Sequence, residues 1–190
     1  MIFCLIGKSA TGKDSIFNKL LSIDNSLNKI LVYTTRPKRD NESLNVEYNF
    51  VDKEFLKKNK NKIIEMRTYN TVYGEWIYAT LDDGSIQNDK NYLMIATLES
   101  YDKLKKYFGK EYVYPLYIEI PNDLRMERAK EREKKQINPK YDEMNRRFLA
   151  DEIDFSEDKI KLANINKRYE NINLDECVNE IYKDILEHKC

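Results

Sequence analysis

The chain begins with five apolar residues, Ile2 to Ile6, that end at Gly7. A short, partly β-branched run without polar alternation is the pattern of a strand buried on both faces of a parallel sheet. Ile16, Phe17, Leu20 and Leu21 then recur at helical spacing, which predicts a helix from Gly12 or Lys13. The two patterns return along the chain. Lys29–Tyr33 predicts a second strand, and Tyr92–Ala96 predicts another buried one, followed by a helix from about Ser100 to Phe108. Tyr112–Ile120 predicts a further strand, after which Pro121 opens a helix through Arg125 to Lys134. Asn173 with Glu176 reads as a capping box for a last helix whose apolar face is Leu174, Cys177, Val178, Ile181 and Ile185. Alternating strand and helix predicts one α/β domain around a parallel sheet.

Two stretches break this rhythm. Thr34 to Asp83 is rich in Tyr and Thr and reads as a small β-rich insert with one helix near Asp52–Lys58. Glu133 to Asp154 is highly charged and helical, broken at Asn138-Pro139. The predicted division of the single domain 1–190 is a core of residues 1–33, 84–132 and 155–190, an insert of 34–83 and a helical segment of 133–154. A core with two such inserts suits a hinged phosphotransferase, one insert holding an acceptor and the other closing over a donor to exclude water.

Composition narrows the chemistry. The 190 residues are 41% hydrophobic and 35% charged, enough for a real core beneath a charged surface. Lys+Arg and Asp+Glu are both 33, so no net charge draws the chain toward nucleic acid or membrane, and no obligate protein partner is evident. The basic residues cluster at Arg36–Arg39, Lys57–Lys62 and Arg125–Lys135; such clusters suit anionic small molecules, although most of the lysines read as solvated helix faces. Cys4, Cys177 and Cys190 have no metal-ligand spacing and read as reduced intracellular thiols. The one histidine, His188, disfavours Ser-His or Cys-His catalysis. The first apolar run is too short to span a membrane and lacks a signal-peptide plan, so a cytoplasmic location is expected.

Gly7-Lys8-Ser9-Ala10-Thr11-Gly12-Lys13 satisfies G-x-x-x-x-G-K between a predicted strand and a predicted helix. In that context Gly7, Ala10, Thr11 and Gly12 let backbone N–H groups turn toward phosphate oxygens. The helix N-terminus adds partial positive charge, and Lys13 reaches the outer phosphates. This predicts ATP with Mg²⁺. Residue 14, where a hydroxyl normally ligates the metal, is Asp14, and the nearest hydroxyl is Ser15. A helix turns about 100° per residue, so the two side chains do not point the same way. Either Asp14 faces outward as a first-turn acid while the metal is held through water and Ser15, or Asp14 ligates the metal itself.

The next dense motif is Thr34-Thr35-Arg36-Pro37-Lys38-Arg39-Asp40-Asn41-Glu42, followed by Tyr48 and Phe50. Two guanidiniums three residues apart in a loop stiffened by proline make an anion clamp, to which Tyr48 can add a donor. Glu65 precedes Tyr73-Gly74, and Arg128, Arg132, Arg146 and Arg147 lie in the late charged helices. In this order, over essentially the whole chain, the motifs resemble those of guanylate kinases. The resemblance implies a P-loop nucleoside-triphosphate-hydrolase-like parallel sheet core with a small nucleoside-monophosphate-binding insert and a helical, arginine-rich lid. It implies phosphoryl transfer from ATP to GMP. Arg36, Arg39, Tyr48 and Tyr73 would hold the GMP phosphate, with Glu42 from the same motif, and Glu65 would face the guanine. Lys13, Arg39 and the lid arginines, chiefly Arg128, Arg132 and Arg147, would reach the transferring group. Asn171, in Asn171-Ile172-Asn173-Leu174, would lie near the adenine.

The departures fall mostly where the family reads the base. Val32 replaces a small hydroxyl residue four positions before Arg36, Glu75 follows Tyr73-Gly74, and Thr97 stands where an acidic residue reads guanine. The interval from Glu65 to Tyr73 is one residue shorter than the family's, and Ala10 replaces a third loop glycine. An unmade polar contact in a closed site costs roughly 1–3 kcal/mol, so a monophosphate kinase of another base specificity is an alternative. So is a catalytically impaired module that binds phosphorylated ligands. Glu75 either adds an acceptor or faces solvent, Trp76 reads as insert core, and Asp151, Glu152 and Asp154 are candidates to anchor lid arginines.

Overall fold

The computed structural model describes residues 1–38 and 48–189, so Arg39 and Glu42 lie outside the described residues. The chain forms two compact units: residues 1–29 with 89–190, and residues 30–88.

The first unit is built on a five-stranded parallel sheet. It contains β1 (Ile2–Ile6), β2 (Leu27–Lys29), β7 (Asn91–Ala96), β8 (Val113–Glu119) and β9 (Arg168–Glu170), in the order β2-β7-β1-β8-β9. Central β1 is buried along its whole length, as its unbroken apolar run requires. Two helices bury apolar stripes against one sheet face: α1 (Lys13–Ile23) through Ile16, Phe17 and Leu20, and α7 (Leu174–His188) through Cys177, Val178, Ile181 and Ile185. The α7 cap is simpler than a reciprocal box. The Asn173 side chain accepts from the Asp175 and Glu176 N–H groups, while the Glu176 carboxylate accepts from the Asn173 amide.

Three more helices matter to the site. α3 (Leu98–Phe108) is capped by Thr97 in a reciprocal box with Ser100, so the Thr97 hydroxyl is used to start a helix. α4 (Asn122–Lys134) follows Pro121, and α5 (Tyr141–Asp154) follows the Asn138-Pro139 break and leads into the short α6 (Glu157–Leu162). Met144 and Phe148 of α5 pack on Ala129 and Met126 of α4, with Ala10 of the first loop against the same cluster.

The second unit is a four-stranded sheet of β3 (Tyr33–Thr34), β4 (Asn49–Phe50), β5 (Ile63–Thr71) and β6 (Gly74–Leu81), in the order β4-β3-β6-β5. The short helix α2 (Lys53–Lys58), N-capped by Asp52, contributes Leu56 and Phe55 to a small core with Ala79, Leu81, Ile77, Ile63 and Tyr33. The predicted strand Lys29–Tyr33 is in fact two. Leu27–Lys29 joins the parallel sheet, Tyr33–Thr34 joins the second sheet, and the apolar residues between them belong to neither. Trp76 is not in the insert core. Strand alternation puts it on the face opposite Ile77, half-buried and stacked with Tyr73, ring centroids 6.4 Å apart.

Candidate functional site

In the first unit the loop Gly7–Gly12 leaves the carboxyl end of the central strand, where open parallel sheets bind ligands. Its glycines are dictated by close approach. A Cβ at Gly7 would stand 2.3 Å from the Ile118 carbonyl oxygen, and one at Gly12, whose φ is 89°, would stand 2.3 Å from Asn171 Nδ2. Ala10 also takes a left-handed conformation, with φ 63°, which costs a side-chain-bearing residue about 1–2 kcal/mol. Lys13 folds back over the loop and donates to the carbonyls of Gly7 at 2.7 Å and Lys8 at 2.8 Å. Burial pushes its ammonium down to about 8; the carboxylates of Asp14 and Asp151 oppose that, and the nearby charges of Arg147 and Arg132 add to it. The loop thus brings three cationic groups within electrostatic reach of one another.

The loop is tied to the end of α5. The Ser9 N–H donates to Asp151 Oδ2 at 2.7 Å, and the Lys8 ammonium to Glu152 Oε2 at 2.7 Å. Buried Arg125 joins both acids, its Nη1 3.2 Å from Asp151 Oδ2 and its Nη2 2.7 Å from Glu152 Oε1, and lies over the Phe148 ring. Arg128 donates to the carbonyls of Asn171 at 2.9 Å and Ile172 at 3.1 Å, while Arg146 forms a fork with Glu143 of its own helix. Asn171 is buried and donates to the Thr11 carbonyl at 2.8 Å, but its side-chain oxygen accepts no hydrogen bond among the described residues. Asp14 and Ser15 both lie exposed in the first turn of α1.

In the second unit, the Thr34 hydroxyl donates to the Ile77 carbonyl at 2.9 Å and accepts from the Arg36 N–H at 3.1 Å; the Thr35 hydroxyl accepts from the Ile77 N–H at 2.9 Å. These bonds hold the start of the arginine loop against β6. Arg36 is 4% exposed, with its guanidinium 5.2 Å from the Tyr48 ring centroid and 5.5 Å from that of Phe50. Tyr48 and Tyr69 each meet Tyr78 edge-on, at 5.9 and 5.6 Å. Glu65 accepts three hydrogen bonds from its neighbours, two on Oε1 and one on Oε2. Thr80 Oγ1 donates to its Oε1 at 2.8 Å, and Arg67 donates from Nε at 2.9 Å and from Nη2 at 3.2 Å. Tyr73 is exposed at the tip of the β5–β6 hairpin, and Glu75 pairs with Lys53 at 2.6 Å.

A family model described as guanylate kinase matches residues 2–184. The chain belongs to the guanylate kinase family. Guanylate kinases of Neisseria gonorrhoeae and of Neisseria meningitidis serogroups A and B are each 42% identical to it over 53 residues, 28% of this chain. That likeness spans about a quarter of the length of those curated relatives, 26%. The crystal structure of guanylate kinase from Anaplasma phagocytophilum superposes with a TM-score of 0.69 at 20% identity, covering 100% of this chain and 86% of that one. At that identity the likeness concerns the fold, which is the expected α/β architecture on a parallel sheet core.

The guanylate kinase pattern thus divides over the two units. Gly7, Ala10, Thr11, Gly12, Lys13, Arg132 and Arg147 form one neighbourhood, with Asn171 and Arg128 bracing it; Arg36, Tyr48 and Glu65 belong to the second unit. Thr97, in the first unit, caps α3. Sequence reading did not anticipate Asp151 accepting from the loop, nor Arg67 and Thr80 enclosing Glu65. Asp151 was legible only as one acid of a run, whereas Arg67, two residues beyond Glu65 in a strand, shares its face by simple alternation.

Proposed function

We propose that the chain is an ATP-dependent nucleoside monophosphate kinase that transfers the ATP γ-phosphoryl group to GMP, giving ADP and GDP. The observation that carries the reading is the loop of the first unit: Lys13 folded over it, with the charges of Arg132 and Arg147 close enough to act on the Lys13 ammonium. A phosphoryl group in transit spreads negative charge over three oxygens and needs positioning and positive charge more than a covalent nucleophile. The loop suits a triphosphate. The Ser9 N–H already donates to an anionic oxygen, that of Asp151, where a phosphate oxygen would serve equally. The buried Asn171 oxygen beside Thr11 is an acceptor waiting for a donor such as an exocyclic amino group.

Arg36, buried against the Tyr48 and Phe50 rings with its backbone held by Thr34, would hold the monophosphate of GMP with Arg39, Tyr48 and Tyr73. Mg²⁺ would neutralise phosphate charge and orient the outer phosphates. Asp14 and Ser15 offer hard oxygen donors at the exposed first turn of α1, and a magnesium ion commonly takes one or two protein oxygens and completes its shell with phosphates and water. Among the described residues no group of three or more acids, histidines or cysteines gathers to hold a metal without such help. No described helix is long and apolar enough to cross a membrane.

The test is ADP release from ATP and Mg²⁺ with GMP, dGMP, AMP, CMP, UMP and dTMP in turn. GMP-dependent turnover lost in Lys13→Ala and in Arg39→Ala is the expected result. Absence of turnover with every monophosphate would overturn the reading.

A further inference from the structure

The Glu65–Arg67 pair is built differently from what a lone base-reading carboxylate requires. The side chains are 0% and 8% exposed, and Arg67 grips both carboxylate oxygens. Thr80 adds a third bond and Tyr69 takes a further guanidinium hydrogen. A guanidinium has five N–H donors, and Glu65 takes two of them. The register explains the pairing. A bulge between Ile63 and Glu65 shifts β5 so that Ile63 faces Leu81 in the small core while Glu65 faces Thr80 on the opposite side of the sheet. Arg67 and Tyr69 follow on that side, opposite Tyr78 and Trp76. A buried ion pair contributes little net stability compared with apolar residues of similar volume, so a purely structural role leaves it unexplained.

Chemistry supplies a role. A carboxylate alone accepts from any N–H, the adenine amino group included. A guanidinium beside a carboxylate offers a donor next to an acceptor. The complementary purine edge is a 6-oxo group beside N1–H, which guanine and hypoxanthine share. Adenine presents the reverse order, an amino donor beside an unprotonated nitrogen. Val32, buried and without a hydroxyl, supplies no donor to a 6-oxo group. We propose that Arg67 is a specificity-determining residue of this chain: held by Glu65, it donates to the O6 of a 6-oxopurine nucleoside monophosphate while Glu65 accepts from N1–H. The proposal rests on the reading that the monophosphate's base meets this face of the second sheet.

The first test needs only the unmodified chain. Its kcat/KM for IMP should lie within about tenfold of that for GMP, while AMP and 2-aminopurine riboside 5′-monophosphate, which lack O6 and N1–H, should be at least about a hundredfold poorer, since sites built on hydrogen bonds discriminate steeply. Arg67→Met, of similar length but without donors, should lower kcat/KM for GMP and IMP by roughly 10- to 100-fold and leave AMP unchanged or improved. Its Kd for ATP should stay unchanged. A GMP:AMP ratio that stays constant in Arg67→Met, or a 2-aminopurine substrate as good as GMP in the unmodified chain, overturns the proposal. If no monophosphate is turned over, the kinase reading falls and the same ratios are taken from equilibrium binding. There, a GMP:AMP Kd ratio that collapses in Arg67→Met supports the base reading, and an unaltered ratio overturns it.

Discussion

The loop after β1 and the polar face of the β3–β6 sheet both gather positive charge, and they do so by different means. In the loop the donors are largely backbone N–H groups and one lysine, contiguous in sequence from Gly7 to Lys13, and their conformation is enforced by two glycines: a Cβ at Gly7 would strike the Ile118 backbone, and Gly12 takes a positive φ. On the sheet the donors are side chains separated by tens of residues. Arg36 sits over Tyr48 and Phe50, and Thr80 reaches Glu65, only because strands pair in one register. A backbone cradle binds any phosphate and is insensitive to which base follows. A face of side chains can be retuned one residue at a time. Val32 and Glu75 depart from the family pattern in the second unit; the loop of the first keeps Gly7, Gly12 and Lys13 but departs at Ala10 and at the following Asp14.

On this contrast, Lys13→Ala should do the most damage. It should lower kcat/KM by roughly 10²–10³ for every monophosphate alike, the loss typical of removing one preorganised donor, with the circular dichroism spectrum unchanged. Selective loss for one base would break the contrast. Arg36→Ala should come next, raising KM for GMP by roughly 10- to 100-fold, as expected for a charge-assisted phosphate contact. The ATP dissociation constant measured by calorimetry should not move, and a matching fall in ATP affinity would contradict an acceptor-side role.

Asp151→Asn probes what holds the loop. It removes the carboxylate that accepts from Ser9 and leaves buried Arg125 paired only with the half-exposed Glu152. Stability should fall by about 1–3 kcal/mol, read as a lower urea midpoint at unchanged slope. An unmoved midpoint would show that the tie between α5 and the loop carries no free energy.

Lys13 also gives the donor side a pH signature. Its ammonium is depressed to about 8, and a triphosphate binds the charged form. ATP affinity should therefore be flat below that pH and weaken as pH rises through and beyond it, approaching about tenfold per pH unit. Calorimetric titrations from pH 6.5 to roughly 9.5 would check the sign; affinity that rises over that interval would refute it. The smallest effect is expected for Ala10→Gly. Relief of the left-handed strain, offset by the entropy of glycine, should stabilise the chain by about 0.5–1 kcal/mol, again read from the urea midpoint.

The amino-acid sequence was sufficient for whatever is encoded by near neighbours. The buried central strand follows from an unbroken apolar run, the helices α1 and α7 from period-3.6 stripes, and the phosphate-binding loop from glycines and a lysine at fixed spacing between a strand and a helix. These are local steric and periodic constraints, and they hold whatever the rest of the chain does. Tertiary structure decided everything that depends on register. The apolar stretch around Ile30–Val32 looks like one strand, but two different sheets take its flanks. The hydroxyl of Thr97 caps a helix, and Trp76 falls on the polar face because alternation in β6 puts Ile77 in the core. Asp151 reaches Ser9 across 142 positions of chain. One extra residue in the bulge between Ile63 and Glu65 turns Glu65 away from the small core and onto the face it shares with Arg67 and Thr80. In a strand of period two, a single inserted residue exchanges the two faces. Only the pairing partner shows where that insertion falls, so the chemistry of the second sheet could be read only after its strands were paired.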